Sequence, residues 1–120
     1  MALDADVFEH LTKATPEDAW RTIVIKALEI AGRPITSNNP ASEVTKRDRE
    51  IGTLDHFLSS SGWDLWQCFG DAVERTSNRL VRWWSEPYNA KAVLILDGLS
   101  LRELPWLLEG AKDRGFTLHI

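Results

Sequence analysis

Residues 92–96, Ala-Val-Leu-Ile-Leu, form an unbroken apolar run that leads straight into Asp97-Gly98. Such a run suits a strand covered on both faces, as in a parallel α/β sheet, rather than one with a face in water. Gly98 lets the chain turn sharply there and leaves Asp97 at the carboxyl edge, where open α/β sheets bind their ligands. A carboxylate at that edge is a candidate metal ligand or acid/base; Asp-Gly also serves as plain turn chemistry between a strand and a helix. Ser100 and Glu103 have capping-box spacing, and Pro105 sets the start of the main helix near itself. Trp106, Leu107 and Ala111 are then expected to face the sheet, Gly115 to close the helix, and residues 116–120 to form a second strand. The expected fold class is α/β: a mostly helical N-terminal region over residues 1–89, leading into the first βαβ unit, with parallel strands, of an incomplete α/β domain over 90–120. Two parallel strands leave both sheet edges open, so the sheet is expected to be completed from elsewhere, either by a partner or by the remainder of a larger polypeptide.

The region before the run reads as helices. Residues 4–13 suit a short first helix with Val7, Phe8 and Leu11 inward. Thr15-Pro16-Glu17-Asp18 combines a cap, a proline for the first helical position and acidic residues for the positive end of the dipole. Apolar positions 19, 20, 23, 24, 27, 28 and 30 or 31 follow at helical spacing, and Gly32-Arg33-Pro34 ends a helix over 16–31. Turn and polar residues predict a loop from 33 to about 45. A helix over 46–60 follows, with Ile51, Leu54, Phe57 and Leu58 on one side; its opening charge cluster, 46–50, reads as solvated surface. The longest helix is expected over 63–84. Trp63, Trp66, Phe69, Val73, Leu80 and Trp84 trace one face, and Arg75, Arg79 and Arg82 another. Aromatic core with a polar arginine face is one account of this pattern, with Asp71 one turn before Arg75. Base stacking with arginine–phosphate contacts is the other. Trp83 and Trp84 cannot both face inward, so one of them is expected at an interface.

Composition narrows the classes. The chain has 120 residues and a formal charge of −4, which gives no global electrostatic case for nucleic acid. The single cysteine, Cys68, excludes an intrachain disulfide and fits a reducing cytoplasm. No apolar run is long enough to span a membrane, and residues 1–6 do not have the form of a secretory signal.

The stretch Val-Leu-Ile-Leu-Asp97-Gly-Leu-Ser-Leu-Arg-Glu-Leu-Pro-Trp-Leu-Leu-Glu-Gly, followed by Arg-Gly115-Phe, resembles the opening strand and helix of a PglZ domain, of the alkaline phosphatase superfamily. The resemblance covers residues 90–120, and what precedes them does not carry it. It implies a metal-dependent hydrolase of phosphate or sulfate esters, with BREX phage-defence systems as the family's best-known setting. Asp97 then corresponds to the first metal-ligating aspartate, and the cofactor is a divalent metal, zinc by preference, bound only in the full α/β domain. The family's Thr or Ser nucleophile and its other Asp and His ligands have no counterpart in these residues. Ser100 is better explained as a cap; His119 lies within the expected second strand and is a minor candidate ligand, and His10 and His56 have no partners at ligand spacing. One carboxylate is short of the three protein ligands a zinc site needs, so the chain alone is not expected to be a competent phosphatase. Two other functions are weighed. One is a non-catalytic protein–protein interaction module using Trp83 and Trp84. The other is a nucleic-acid-binding accessory using Arg75, Arg79 and Arg82.

Overall fold

The computed structural model describes residues 5–87 and 90–116. Among them the elements are α1 (Ala5–Lys13), α2 (Pro16–Ala31), α3 (Pro40–Ser60), α4 (Trp63–Ala72), α5 (Thr76–Ser85), a 3-10 turn (Leu101–Glu103) and α6 (Leu104–Asp113). The described residues contain no strand and no sheet, which overturns the α/β expectation. Residues 92–96 lie between α5 and the 3-10 turn without regular secondary structure. The physical reason is that an apolar run becomes a strand only through a ladder, and no described segment offers this one a ladder. The expected second strand, 116–120, falls outside the described residues except for Phe116, which is in no strand. His119 also lies outside them.

α2 organises the helical part. The Thr15 hydroxyl accepts from the Asp18 amide at 3.2 Å, Pro16 takes the first turn, and the Gly32 amide closes the helix on the Leu28 carbonyl at 2.8 Å. Its buried face is Ala19, Trp20, Ile23, Ile30 and Ala31, with Leu28 half-buried; Val24, expected inward, is half exposed. Leu11 of α1 joins Ala19, Trp20 and Ile23 in the core, flanked by Phe8, Phe57, Leu58, Leu65 and Val73. Trp20 is the centre. Its indole N–H donates to the Leu65 carbonyl at 2.9 Å, and the rings of Trp66 and Phe69 meet it edge-on at 4.9 Å each. Edge-to-face geometry sets the positive rim of one ring against the negative face of the next.

Two boundaries differ from the sequence expectation. α3 starts at Pro40 rather than near residue 46, because Asn39 caps it by accepting from the Ser42 amide at 3.2 Å, with Pro40 in the first turn. The expected 63–84 helix is broken. Val73 and Arg75 adopt extended backbone, so α4 ends at Ala72 and α5 restarts at Thr76. Thr76, Ser77 and Asn78 favour local hydrogen bonding over a helix interior, so they tolerate the restart there. Trp66 and Phe69, on α4 before the break, meet Trp20, while α5 after it has no buried residue.

Arg47 ties the end of α2 to α3. Its guanidinium is buried and donates to the Pro34 carbonyl at 2.9 Å, to the Ala31 carbonyl at 3.5 Å and to Glu43 at 3.3 Å. The rest of the charge cluster is not uniformly solvated either, since Glu50 takes the Arg33 guanidinium at 2.7 Å and is largely buried. α6 approaches α2 at Gly32, where an added Cβ would stand 3.1 Å from Leu108. The sheet-facing assignment of Trp106 and Leu107 is therefore corrected: both are exposed, and Leu104 and Leu108 turn toward Gly32 instead.

Trp20→Ala should destabilise the fold by about 3–5 kcal/mol, the cost of emptying a buried aromatic site. Trp84→Ala, at a residue 57% exposed, should cost under about 1 kcal/mol. Urea unfolding followed by far-ultraviolet circular dichroism separates the two; equal losses would mean that Trp20 is not the centre of the core.

Candidate functional site

The residues singled out in the sequence fall on α5 and on the chain that follows it. α5 has no buried residue. Arg75 precedes its first turn, Arg79 is exposed, and Arg82 reaches back to Glu74 at 2.7 Å. The break at 73–75 removes the helical spacing between Asp71 and Arg75, so that expected pair is not formed on one helix. Trp83 is half-buried and Trp84 exposed, with ring centroids 5.8 Å apart. The structure thus divides the adjacent tryptophans as their positions require.

What covers Trp83 is Lys91. Its ammonium lies 5.2 Å from the Trp83 ring centroid and donates to the carbonyls of Trp83, Glu86 and, at 2.9 Å, Trp84. A cation at a helix C-terminus answers both the unpaired carbonyls and the negative end of the dipole. Sequence reasoning gave Lys91 no role, because it lies beyond the last turn of α5, the turn where basic residues mark a helix end. The contact fastens the start of the apolar run to the end of α5.

Beyond Lys91 the apolar residues are in water. Leu94 is 78% exposed and Ile95 83%, with Val93, Leu96, Leu99 and Leu101 also exposed. Asp97 and Gly98 make an exposed turn in which Gly98 has φ +85°, a conformation that a side chain would strain. The Ser100 hydroxyl accepts from the Arg102 amide at 3.2 Å, and the Ser100 amide and hydroxyl donate to Glu103 at 2.9 and 2.7 Å. Ser100 is thus a cap, as its spacing predicted. Arg102 then reaches Asp48 of α3, with Nε 3.2 Å from both carboxylate oxygens and Nη2 3.0 Å from one. An open groove of about 560 Å³ adjoins this pair, lined by Ala31, Val44, Ile51 and Leu101 together with Asp48, Asp55 and Arg102.

The electrostatics follow these contacts. The Ser100 hydroxyl and amide hold the Glu103 carboxyl below the ordinary glutamate range, and hydrogen bonding and charge from Asp48 raise Arg102. Among the described residues no three His, Cys, Asp or Glu side chains stand together as a metal site. Asp97 alone does not fit a zinc centre, which needs at least three protein ligands. His10 and His56 are exposed on α1 and α3. Among the described residues no helix is long and apolar enough to cross a membrane.

Comparison with protein-family models, with curated proteins and with solved structures finds no match for this chain.

The capping box gives a pH dependence. A carboxyl whose folded pKa is depressed contributes its full stabilisation above the ordinary glutamate value and loses it as pH falls through the lower, folded value. The Ser100 amide resonance should therefore titrate with a midpoint below that of an unstructured glutamate. In Glu103→Gln the titration should vanish. A midpoint at or above the ordinary value would mean that the box does not hold in solution.

Proposed function

We infer that this chain is a non-catalytic protein–protein interaction module, a helical scaffold that presents the apolar segment 92–101 beside Trp84. The observation that carries this is the exposure of Leu94 and Ile95 in a segment anchored at both ends, by Lys91 on α5 and by the Ser100–Glu103 cap with its Arg102–Asp48 clasp. Anchoring separates this segment from a frayed loop, and its apolar character separates it from a solvated one. Contiguous exposed apolar surface of this kind marks binding surfaces. A reducing cytoplasm, where Cys68 stays a thiol, is the compartment that suits it.

A photo-crosslinking residue in place of Leu94, in the cells that express the chain, should give one discrete protein adduct. The same residue in place of Val24, on the exposed side of α2, should not. No adduct from position 94, or the same pattern from both positions, would overturn this function.

The resemblance to PglZ domains supports a second function, favoured by the placement of Asp97 at an exposed turn between the apolar segment and a capped helix. There Asp97 is one ligand of a metal-dependent hydrolase of phosphate or sulfate esters whose nucleophile and remaining ligands come from elsewhere. The intact mass of the protein in its source, read against 13.6 kDa for this chain, tests it. A much heavier protein whose phosphatase activity is lost in Asp97→Asn is the expected result, and a source protein of the same mass removes this function.

A further inference from the structure

We propose that the occupant of the apolar segment is a second copy of this chain, paired antiparallel through residues 91–97 about a two-fold axis at Leu94. The proposal rests on the interaction-module function and names its partner.

The register follows from the residues. In an antiparallel pair centred on Leu94, Leu94 meets its own counterpart and Ala92 meets Leu96, small against large, on one face. On the other face Val93 meets Ile95, a β-branched pair, and Lys91 meets Asp97. Such opposed pairs are the unit of stabilisation between strands. The two-fold axis makes the Lys91–Asp97 opposition occur twice, once at each end of the segment. A parallel, in-register pairing would set Lys91 against Lys91 and Asp97 against Asp97, and like charges directly opposed are unfavourable. The charges at the ends of the run therefore select the antiparallel, closed arrangement over open-ended stacking. Lys91 keeps its place on the α5 carbonyls in this arrangement, since proximity of opposite charge requires no exchange of its hydrogen bonds.

The chain between the charges supports pairing. Ala92 to Leu96 has no glycine, proline or charge, which is the composition of segments that associate with their own copies. Among the described residues none of its backbone groups takes part in a hydrogen bond with another backbone group. All five residues are exposed, so a second chain can reach them without moving a helix. A two-fold interface needs only one self-complementary patch, and it is the commonest way in which identical chains assemble.

Sedimentation velocity of the full chain should show a species of twice 13.6 kDa growing in with concentration over the micromolar range. Leu94→Lys should abolish it while leaving the helical circular dichroism unchanged. Thiol crosslinking then reads the register in a Cys68→Ser background. Directly opposed residues bring their Cα atoms to about 4.5–5.5 Å, within disulfide reach. Leu94→Cys should crosslink to itself on mild oxidation. Val93→Cys and Ile95→Cys should each fail alone and crosslink when mixed. A monomer at all concentrations overturns the proposal; a discrete adduct to a different protein in the photo-crosslinking experiment would then leave the interaction-module function standing. A dimer that crosslinks at Val93→Cys alone, or not at all at Leu94→Cys, overturns it too, since another face or register would hold the copies together.

Discussion

The indole of Trp20 is the joint on which the helical part depends. Its ring is buried and its N–H is satisfied by the Leu65 carbonyl, so the largest side chain in the core enters without an unpaired polar group. Leaving that donor unpaired would cost about 1–3 kcal/mol. The same ring receives Trp66 and Phe69, and this fixes the direction from which α4 arrives. α1 and α3 then close over what remains, with Phe8 and Phe57 meeting at 5.2 Å. One residue thus sets where three helices lie relative to α2.

Polar clasps act beside apolar packing, with Leu104 and Leu108 at Gly32, in placing the C-terminal third. Lys91 holds the end of α5, Arg102 holds Asp48, and Ser100 and Glu103 hold each other. Exposed ion pairs of this kind add little stability, because solvent screens them and two long side chains must be ordered. Their effect is geometric. They keep an apolar segment in a defined position without burying it, as the proposed binding surface requires.

Local chemistry was readable from the sequence wherever one residue decides it. The α2 bounds, with Thr15, Pro16 and Gly32, follow from cap and stop signals, and the Ser100–Glu103 box with Pro105 beyond it follows from spacing alone. The start of α3 carried the same signature in Asn39-Pro40, but the polar residues after it hide the helical period. The break at 73–75 was hidden for the opposite reason: the apolar spacing continues across it, while the direction of α4 is set by Trp20, more than forty residues away. Misreading 92–96 as a buried strand has a similar origin. An apolar run states that a segment resists water, and only a partner decides in what structure it escapes. The division of Trp83 from Trp84, one half-buried and one exposed, follows from their adjacency, whereas Lys91, Arg102 and Asp48 act through contacts that no local pattern announces.

The break between α4 and α5 divides the molecule thermodynamically. Up to Val73 the helices share one core, so their amides are protected by the free energy of unfolding the whole. α5 buries no side chain fully and is fastened by Glu74–Arg82 and by Lys91 at its end. Helices held in this way open at a fraction of the global free energy. α5 is therefore the helix expected to open most readily, while the 3-10 turn and α6 stay tied to α2 and α3 through Gly32 and the Arg102–Asp48 pair.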